Sequence, residues 1–233
     1  MPVNYSAQGT WRVHHGDFKD MLGPQPTIEL VAQIDEYPFA HEAGVFIAEK
    51  NELFITSNQF EDEADECKVQ ISKVSLGDGA QPATRENIHC PLIHMANGGV
   101  NYEGGILLCA QGSSTRPSGL FKVEVAAPYR TEPVLTSYMG RPFNSVNDVV
   151  VNGDGSIWFT DPSYGHDQGY RPRPSLPDAV YRYDPSSGSV RAVADGFGRP
   201  NGICFSPDGE TVYITDTDQV RGTSVDHNRA ASM

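Results

Sequence analysis

Pro200-Asn201-Gly202-Ile203-Cys204-Phe205-Ser206-Pro207-Asp208-Gly209-Glu210-Thr211-Val212-Tyr213-Ile214-Thr215-Asp216 lies over Val146-Asn147-Asp148-Val149-Val150-Val151-Asn152-Gly153-Asp154-Gly155-Ser156-Ile157-Trp158-Phe159-Thr160-Asp161 with one residue inserted. Both stretches read as a short apolar strand, an Asp-Gly turn, and a β-branched and aromatic strand that ends in Thr-Asp. Asp-Gly between two such runs is a strong hairpin signal, because glycine tolerates the positive φ the turn demands. Two fainter copies lie upstream. Ala96-Asn97-Gly98-Gly99-Val100 leads to Ile106-Leu107-Leu108-Cys109-Ala110-Gln111, and His41-Glu42-Ala43-Gly44-Val45-Phe46-Ile47 leads to Leu53-Phe54-Ile55-Thr56-Ser57-Asn58.

The leading polar residues of the four copies stand at positions 42, 97, 147 and 201, spaced by 55, 50 and 54. Further strands fall between the copies: 69–74, 120–125, 180–183 and 189–193. Each repeat is thus about four short strands with no convincing helix, which is the unit of a β-propeller blade. A β-sandwich would also be all-β, but it does not predict a register repeat of this length. The expected fold is an all-β propeller with about four blades present. Residues 1–36 are expected to form an N-terminal segment whose Thr27–Ile34 reads as a ring-closing strand with its partner blade not in this sequence, and 37–233 the propeller domain, with the fourth copy ending its pattern after Asp216.

Composition agrees with this. The 233 residues suit one large all-β domain, and 23 Gly and 17 Pro spread along the chain supply its turns. A net charge of −13 repels phosphate backbones and anionic lipid, so neither a nucleic-acid nor a membrane partner is expected. The first twenty residues contain no apolar signal-peptide core, which points to a cytoplasmic protein. Cys67, Cys90, Cys109 and Cys204 show no metal-type spacing, and Cys109 and Cys204 sit in apolar runs that read as core. The acidic run 61–66 reads as a solvated loop. Oligomeric state is not readable from the sequence.

The start of each innermost propeller strand lines one end of the central channel, so Glu42, Asn97, Asn147 and Asn201 are expected to converge there. One Asn-Gly alone would be an ordinary turn. Four polar residues in a single register, a carboxylate among them, instead form a hard-oxygen set suited to Ca²⁺ and less well to Mg²⁺ or Mn²⁺. No cysteine joins the set and no histidine occupies the register, which argues against zinc. Asp161 and Asp216, at strand ends, are expected chiefly to accept backbone N–H bonds. His41 and His94 lie in loops near the channel and are substrate-contact candidates.

Asn144-Ser145-Val146-Asn147-Asp148-Val149-Val150-Val151 through Phe159-Thr160-Asp161-Pro162-Ser163-Tyr164-Gly165 resembles the signature of the gluconolactonase family, which includes regucalcin and luciferin-regenerating enzyme. Pro200-Asn201-Gly202 and Tyr213-Ile214-Thr215-Asp216 are similar to that family's following blade, and His41-Glu42-Ala43 stands where the family has a comparable His-Glu motif. Asn97-Gly98-Gly99, Gly140-Arg141-Pro142-Phe143-Asn144-Ser145 and Tyr170-Arg171-Pro172 look like the fungal lactonohydrolases of aldonate and pantoyl lactones.

The resemblance implies a six-bladed propeller with one axial divalent cation, calcium first and magnesium, manganese or zinc as alternatives, that hydrolyses a small-molecule lactone. By position it makes Glu42 and Asn201 metal ligands, gives Asn147 to metal or substrate, and sets Asn97 and His41 in the substrate pocket. The family's remaining ligand, an Asp that also serves as general base, would fall near position 250, beyond Met233. A C-terminally truncated chain is therefore expected. Two alternatives stay open: a truncated, catalytically inactive propeller that binds a cation or a partner, and an arylesterase or phosphotriesterase on a similar calcium site.

Overall fold

The computed structural model describes residues 11–61, 66–77, 82–221, 224–229 and 231. Three four-stranded antiparallel sheets follow one another along the chain, each with its strands in sequence order. The first contains Glu42–Ile47, Glu52–Thr56, Ile71–Ser75 and Thr84–Ile88. The second contains Ala96–Tyr102, Gly105–Ala110, Gly119–Val123 and Thr131–Leu135. The third contains Val149–Val151, Ile157–Asp161, Ala179–Asp184 and Ser189–Ala194, and a fourth sheet consists of Pro200–Phe205 paired with Val212–Asp216. The first strand of each sheet packs beside the first strand of the next, so the sheets are blades around a common axis and the fold is an arc of a β-propeller.

The strand Gly105–Ala110 shows how the blades are glued. All six of its residues are buried, an unusual pattern for an antiparallel strand, which normally wets one face. Successive side chains point to opposite faces. Ile106 and Leu108 join a core with Val45, Ile47, Phe54, Ile71 and Ile88 of the first blade. Leu107 and Cys109 join a second core with Val149, Ile157, Phe159 and Tyr181 of the third. The continuous apolar run therefore serves two blade interfaces at once. Each wholly buried Leu, Ile or Phe contributes about 1.5–3 kcal/mol. Phe143, Phe159 and Tyr181 extend the second core through ring contacts at 5.2–5.5 Å, and Trp158 meets Phe205 edge-on at 5.4 Å across the third and fourth blades.

Two features differ from the sequence expectations, the presence of short helices and the exposure of Cys204. Thr27–Ile34 pairs with no strand among the described residues, and Ile28, Leu30 and Val31 are about half exposed (55%, 51% and 53%). The segment likewise has no partner blade in the sequence, and a ladder needs a neighbour's amides and carbonyls. Short helices do occur: Gly16–Leu22, with no buried residue, and the single turn Tyr164–Asp167. Cys204 is exposed while Cys109 is buried, and all four cysteines are free. Cys204 alternates with the buried Ile203 and faces outward from the fourth sheet. The acidic run lies mostly outside the described residues. No helix among the described residues is long and apolar enough to cross a membrane.

Candidate functional site

The repeated polar register has a structural cause. In the first blade Glu42 pairs with Thr56 and Val45 with Phe54, so one strand advances three residues while its partner advances two. The same one-residue bulge falls between Ala96 and Gly99 in the second blade and between Pro200 and Ile203 in the fourth. A bulge bends its strand and re-aims a side chain that alternation would otherwise direct into a blade interface. Glu42, Asn97 and Asn201 lie at these bulges. In the third blade Asn147 and Asp148 precede the ladder and are tied to Thr160, whose carbonyl accepts from the Asn147 N–H at 3.0 Å and whose N–H donates to the Asp148 carbonyl at 3.0 Å.

The blades also hold one another at these positions. The Thr56 hydroxyl donates to the Asn97 carbonyl at 3.0 Å, and the Thr160 hydroxyl donates to the Asn201 carbonyl at 2.6 Å. Between them the Gly98 N–H donates to the Asn147 carbonyl at 2.8 Å. Gly98 is required there, because a Cβ would stand 2.5 Å from Asp148 Oδ1 and 2.7 Å from the Asn147 carbonyl oxygen. Asp148 Oδ1 accepts from the Val149 N–H at 2.9 Å, and its Oδ2 from the Ile203 N–H at 3.0 Å, a link between the third and fourth inner strands. Asp161 accepts from the N–H groups of Asn144 and Ser145 at 2.9 and 2.8 Å, and Asp216 from those of Gly198 and Arg199 at 3.0 and 2.7 Å, as expected of strand-end carboxylates.

Glu42, Asn97, Asn147 and Asn201 share one pocket with His41. Asn97 Oδ1 and Asn147 Oδ1 are both buried without a hydrogen-bond partner. A buried acceptor left in that state costs about 1–3 kcal/mol, so two in one pocket mark a place that a ligand or ion completes. Burial raises the Glu42 carboxyl, nearby His41 partly offsets this, and the neighbouring Asp148 charge raises it further. His41 Nε2 lies 3.8 Å from Glu42 Oε1. His94 lies instead in a separate cleft with Cys67, Tyr170 and Arg171.

Among the described residues no group of three His, Cys, Asp or Glu side chains is placed to hold a metal. The pocket's donors are one carboxylate and several amide oxygens, a chemistry that fits a hard divalent cation rather than a softer one.

The pocket is further lined by Asn58 and Gln111, from the repeated strand-end register, and by Gln59, Tyr164 and Gln168, which the repeat did not single out. Gln111 stands at the strand-end register of Asn58, Asp161 and Asp216, so a signal for it was present. Tyr164 and Gln168 come from the excursion between the second and third strands of the third blade, which reaches the first two blades through Gln59–Gln168 and Gln111–Tyr170 hydrogen bonds. Arg199 anchors this excursion, pairing with Asp167 at 2.5 Å and Asp178 at 2.9 Å while only 11% exposed. Arg171 pins it further by donating to the carbonyls of Ser113, Arg116, Phe143 and Asn144.

Propeller blades with a hard-oxygen pocket at the starts of their inner strands define the class. The sequence model of the SMP-30/gluconolactonase/LRE-like region matches residues 79–232, and the chain belongs to that family. Lactonohydrolase oryL of Aspergillus oryzae is 33% identical over 208 residues, covering 85% of this chain and 45% of the relative. The gluconolactonase of Zymomonas mobilis is 33% identical over 116 residues, 46% of this chain and 30% of that one. A solved gluconolactonase from Xanthomonas campestris superposes with a TM-score of 0.57 over 81% of this chain and 57% of its own; at 24% identity this likeness speaks to the fold. The chain spans about half the length of the A. oryzae relative.

Proposed function

We propose that the protein acts as a lactone hydrolase assisted by a divalent cation on the propeller axis, calcium first. The observation that carries this reading is the pair of buried, unpartnered amide oxygens of Asn97 and Asn147 beside the Glu42 carboxylate. Membership of the family and the lactonohydrolase names of its relatives support the reaction class. In this reading Glu42, Asn147 and Asn201 hold the cation, and Asn97 and His41 face the lactone. A bound divalent cation supplies Lewis acidity to an ester carbonyl and lowers the pKa of a water. The chain's own part is to orient. Asn58, Gln59, Gln111 and Gln168 offer neutral donors and acceptors for hydroxyl-bearing rings. Among the described residues Glu42 is the one carboxylate that lines the pocket, and this reading assigns it to the cation rather than to proton transfer.

The test is a pH-based assay of the full-length encoded protein on a panel of aldono-lactones, pantoyl lactone and paraoxon, with and without chelator. Chelator-sensitive turnover of lactones is the expected result. Cleavage of paraoxon alone, or of nothing, would overturn the reading. By calorimetric titration, Glu42→Gln should weaken Ca²⁺ binding more than Asn97→Ala, because a hard cation is held mainly by charge. Equal losses would remove the cation from the axis.

A further inference from the structure

An asparagine can present either its oxygen or its NH₂ to a pocket, and only the oxygen can meet a cation. For Asn201 a chain of hydrogen bonds makes the choice. Its Nδ2 lies 3.1 Å from the Tyr164 hydroxyl, as donor. That hydroxyl is hydrogen-bonded in turn to Thr217 Oγ1. Thr217 Oγ1 donates to the Arg199 carbonyl at 3.5 Å, and the Thr217 N–H donates to the same oxygen at 3.0 Å. The chain ends on a carbonyl, which can only accept. That carbonyl favours Thr217 as the donor to it, which leaves Thr217 Oγ1 to receive from Tyr164 and Tyr164 to receive from Asn201 Nδ2. Asn201 Oδ1 is then the atom left to the pocket.

Tyr164 is held for this task. It is 8% exposed, it sits in the turn Tyr164–Asp167, and the Gln168 N–H closes on its carbonyl at 2.8 Å. The salt bridges of Arg199 to Asp167 and Asp178 fix the same excursion from the fourth blade. The Asn201 backbone is pinned separately by the Thr160 hydroxyl, so the phenol acts on the amide plane rather than on the main chain.

We infer that Tyr164 is a positioning residue that directs the Asn201 amide oxygen into the axial pocket, through a one-way hydrogen-bond relay ending at the Arg199 carbonyl. The inference rests on the axial-cation reading of the proposed function, and its test separates the two.

Ca²⁺ affinity is measured by calorimetry, with Tb³⁺ luminescence as a second readout, on the full-length protein and four variants: Tyr164→Phe, Thr217→Val, Asn201→Asp and the Tyr164→Phe/Asn201→Asp pair. Tyr164→Phe should weaken binding by roughly tenfold, about 1.4 kcal/mol, and Thr217→Val should weaken it in the same direction by less. In the Asn201→Asp background both terminal atoms are oxygens and orientation no longer matters, so adding Tyr164→Phe should change affinity by less than about twofold. This cycle isolates the coupling from a packing role. An equal loss from Tyr164→Phe in both backgrounds, or no loss in the Asn201 background, overturns the inference while leaving the cation in place. Absence of Ca²⁺ binding by the unsubstituted protein overturns the axial reading and the inference with it.

Discussion

The stretches 146–161 and 200–216 look alike as sequence and make the same local bonds, yet they live in different surroundings. Each ends in an aspartate that accepts from two successive backbone N–H groups near the start of its own hairpin. In the third blade Ile157, Phe159 and Asp161 are wholly buried. Their counterparts in the fourth, Val212, Ile214 and Asp216, are only partly buried, and Tyr213 is 46% exposed. The third blade is packed by the second and the fourth, whereas among the described residues the fourth meets a neighbour on one side. Local pattern makes the hairpin; the second neighbour makes the core.

The largest expected difference is in packing. Phe159→Ala removes a ring that contacts Phe143 and Tyr181, and should cost about 3–5 kcal/mol in chemical denaturation. Tyr213→Ala, on the exposed side of the fourth blade, should cost less than about 1 kcal/mol. Similar losses at the two positions would mean that the fourth blade is as enclosed as the third, and the contrast between them would fall.

The next effect is electrostatic. Complete burial lifts the Asp161 carboxyl from 3.8 to about 7, against the opposing pull of its two backbone N–H bonds. Between about pH 4 and pH 7 the folded chain therefore holds a proton that the unfolded chain has released. Acid favours folding across that window, and stability falls as pH rises through it, by up to about 4 kcal/mol from this residue. Burial raises Asp148 and Asp178 in the same direction. With a chelator present, the melting temperature should be several degrees higher at pH 5 than at pH 7.5. A melting temperature that is flat or rises over this range would show that Asp161 is hydrated and the third blade less sealed than described.

The smallest contrast concerns two glycines that follow site asparagines. Gly98→Ala should destabilise by about 1–3 kcal/mol, since its Cβ would collide with the side chain and backbone of the third blade. Gly202→Ala places its nearest contact, Thr215 Oγ1, at 3.2 Å and the next, Asp148 Oδ2, at 3.8 Å, and should cost less than about 1 kcal/mol. Thermal melts of the two variants make the comparison. Equal costs would show that the second and third inner strands are no closer than the third and fourth.

The blades and the four polar positions could be read because both repeat. A bulge at the same place in the first, second and fourth inner strands keeps Glu42, Asn97 and Asn201 in step with Asn147 at intervals near fifty residues, and Asp-Gly turns mark the hairpins. Tyr164, Gln168 and Gln59 escaped because they come from irregular segments with no period. Cys204 was misplaced because an apolar run indicates a strand without saying which of its faces another sheet covers.

Strand positions, turn chemistry and the register of polar residues are short-range properties, written within a few residues of where they act, and they were legible from the amino-acid order alone. Whether a face is buried, how far a carboxyl is pushed from its usual range, and which end of the Asn201 amide meets the pocket depend on residues dozens of positions away. Tyr164 stands 37 residues from Asn201, and the Thr160 hydroxyl that pins its backbone stands 41 away. Such pairings exist only once blades have packed, because packing alone excludes the water that would otherwise satisfy each group separately.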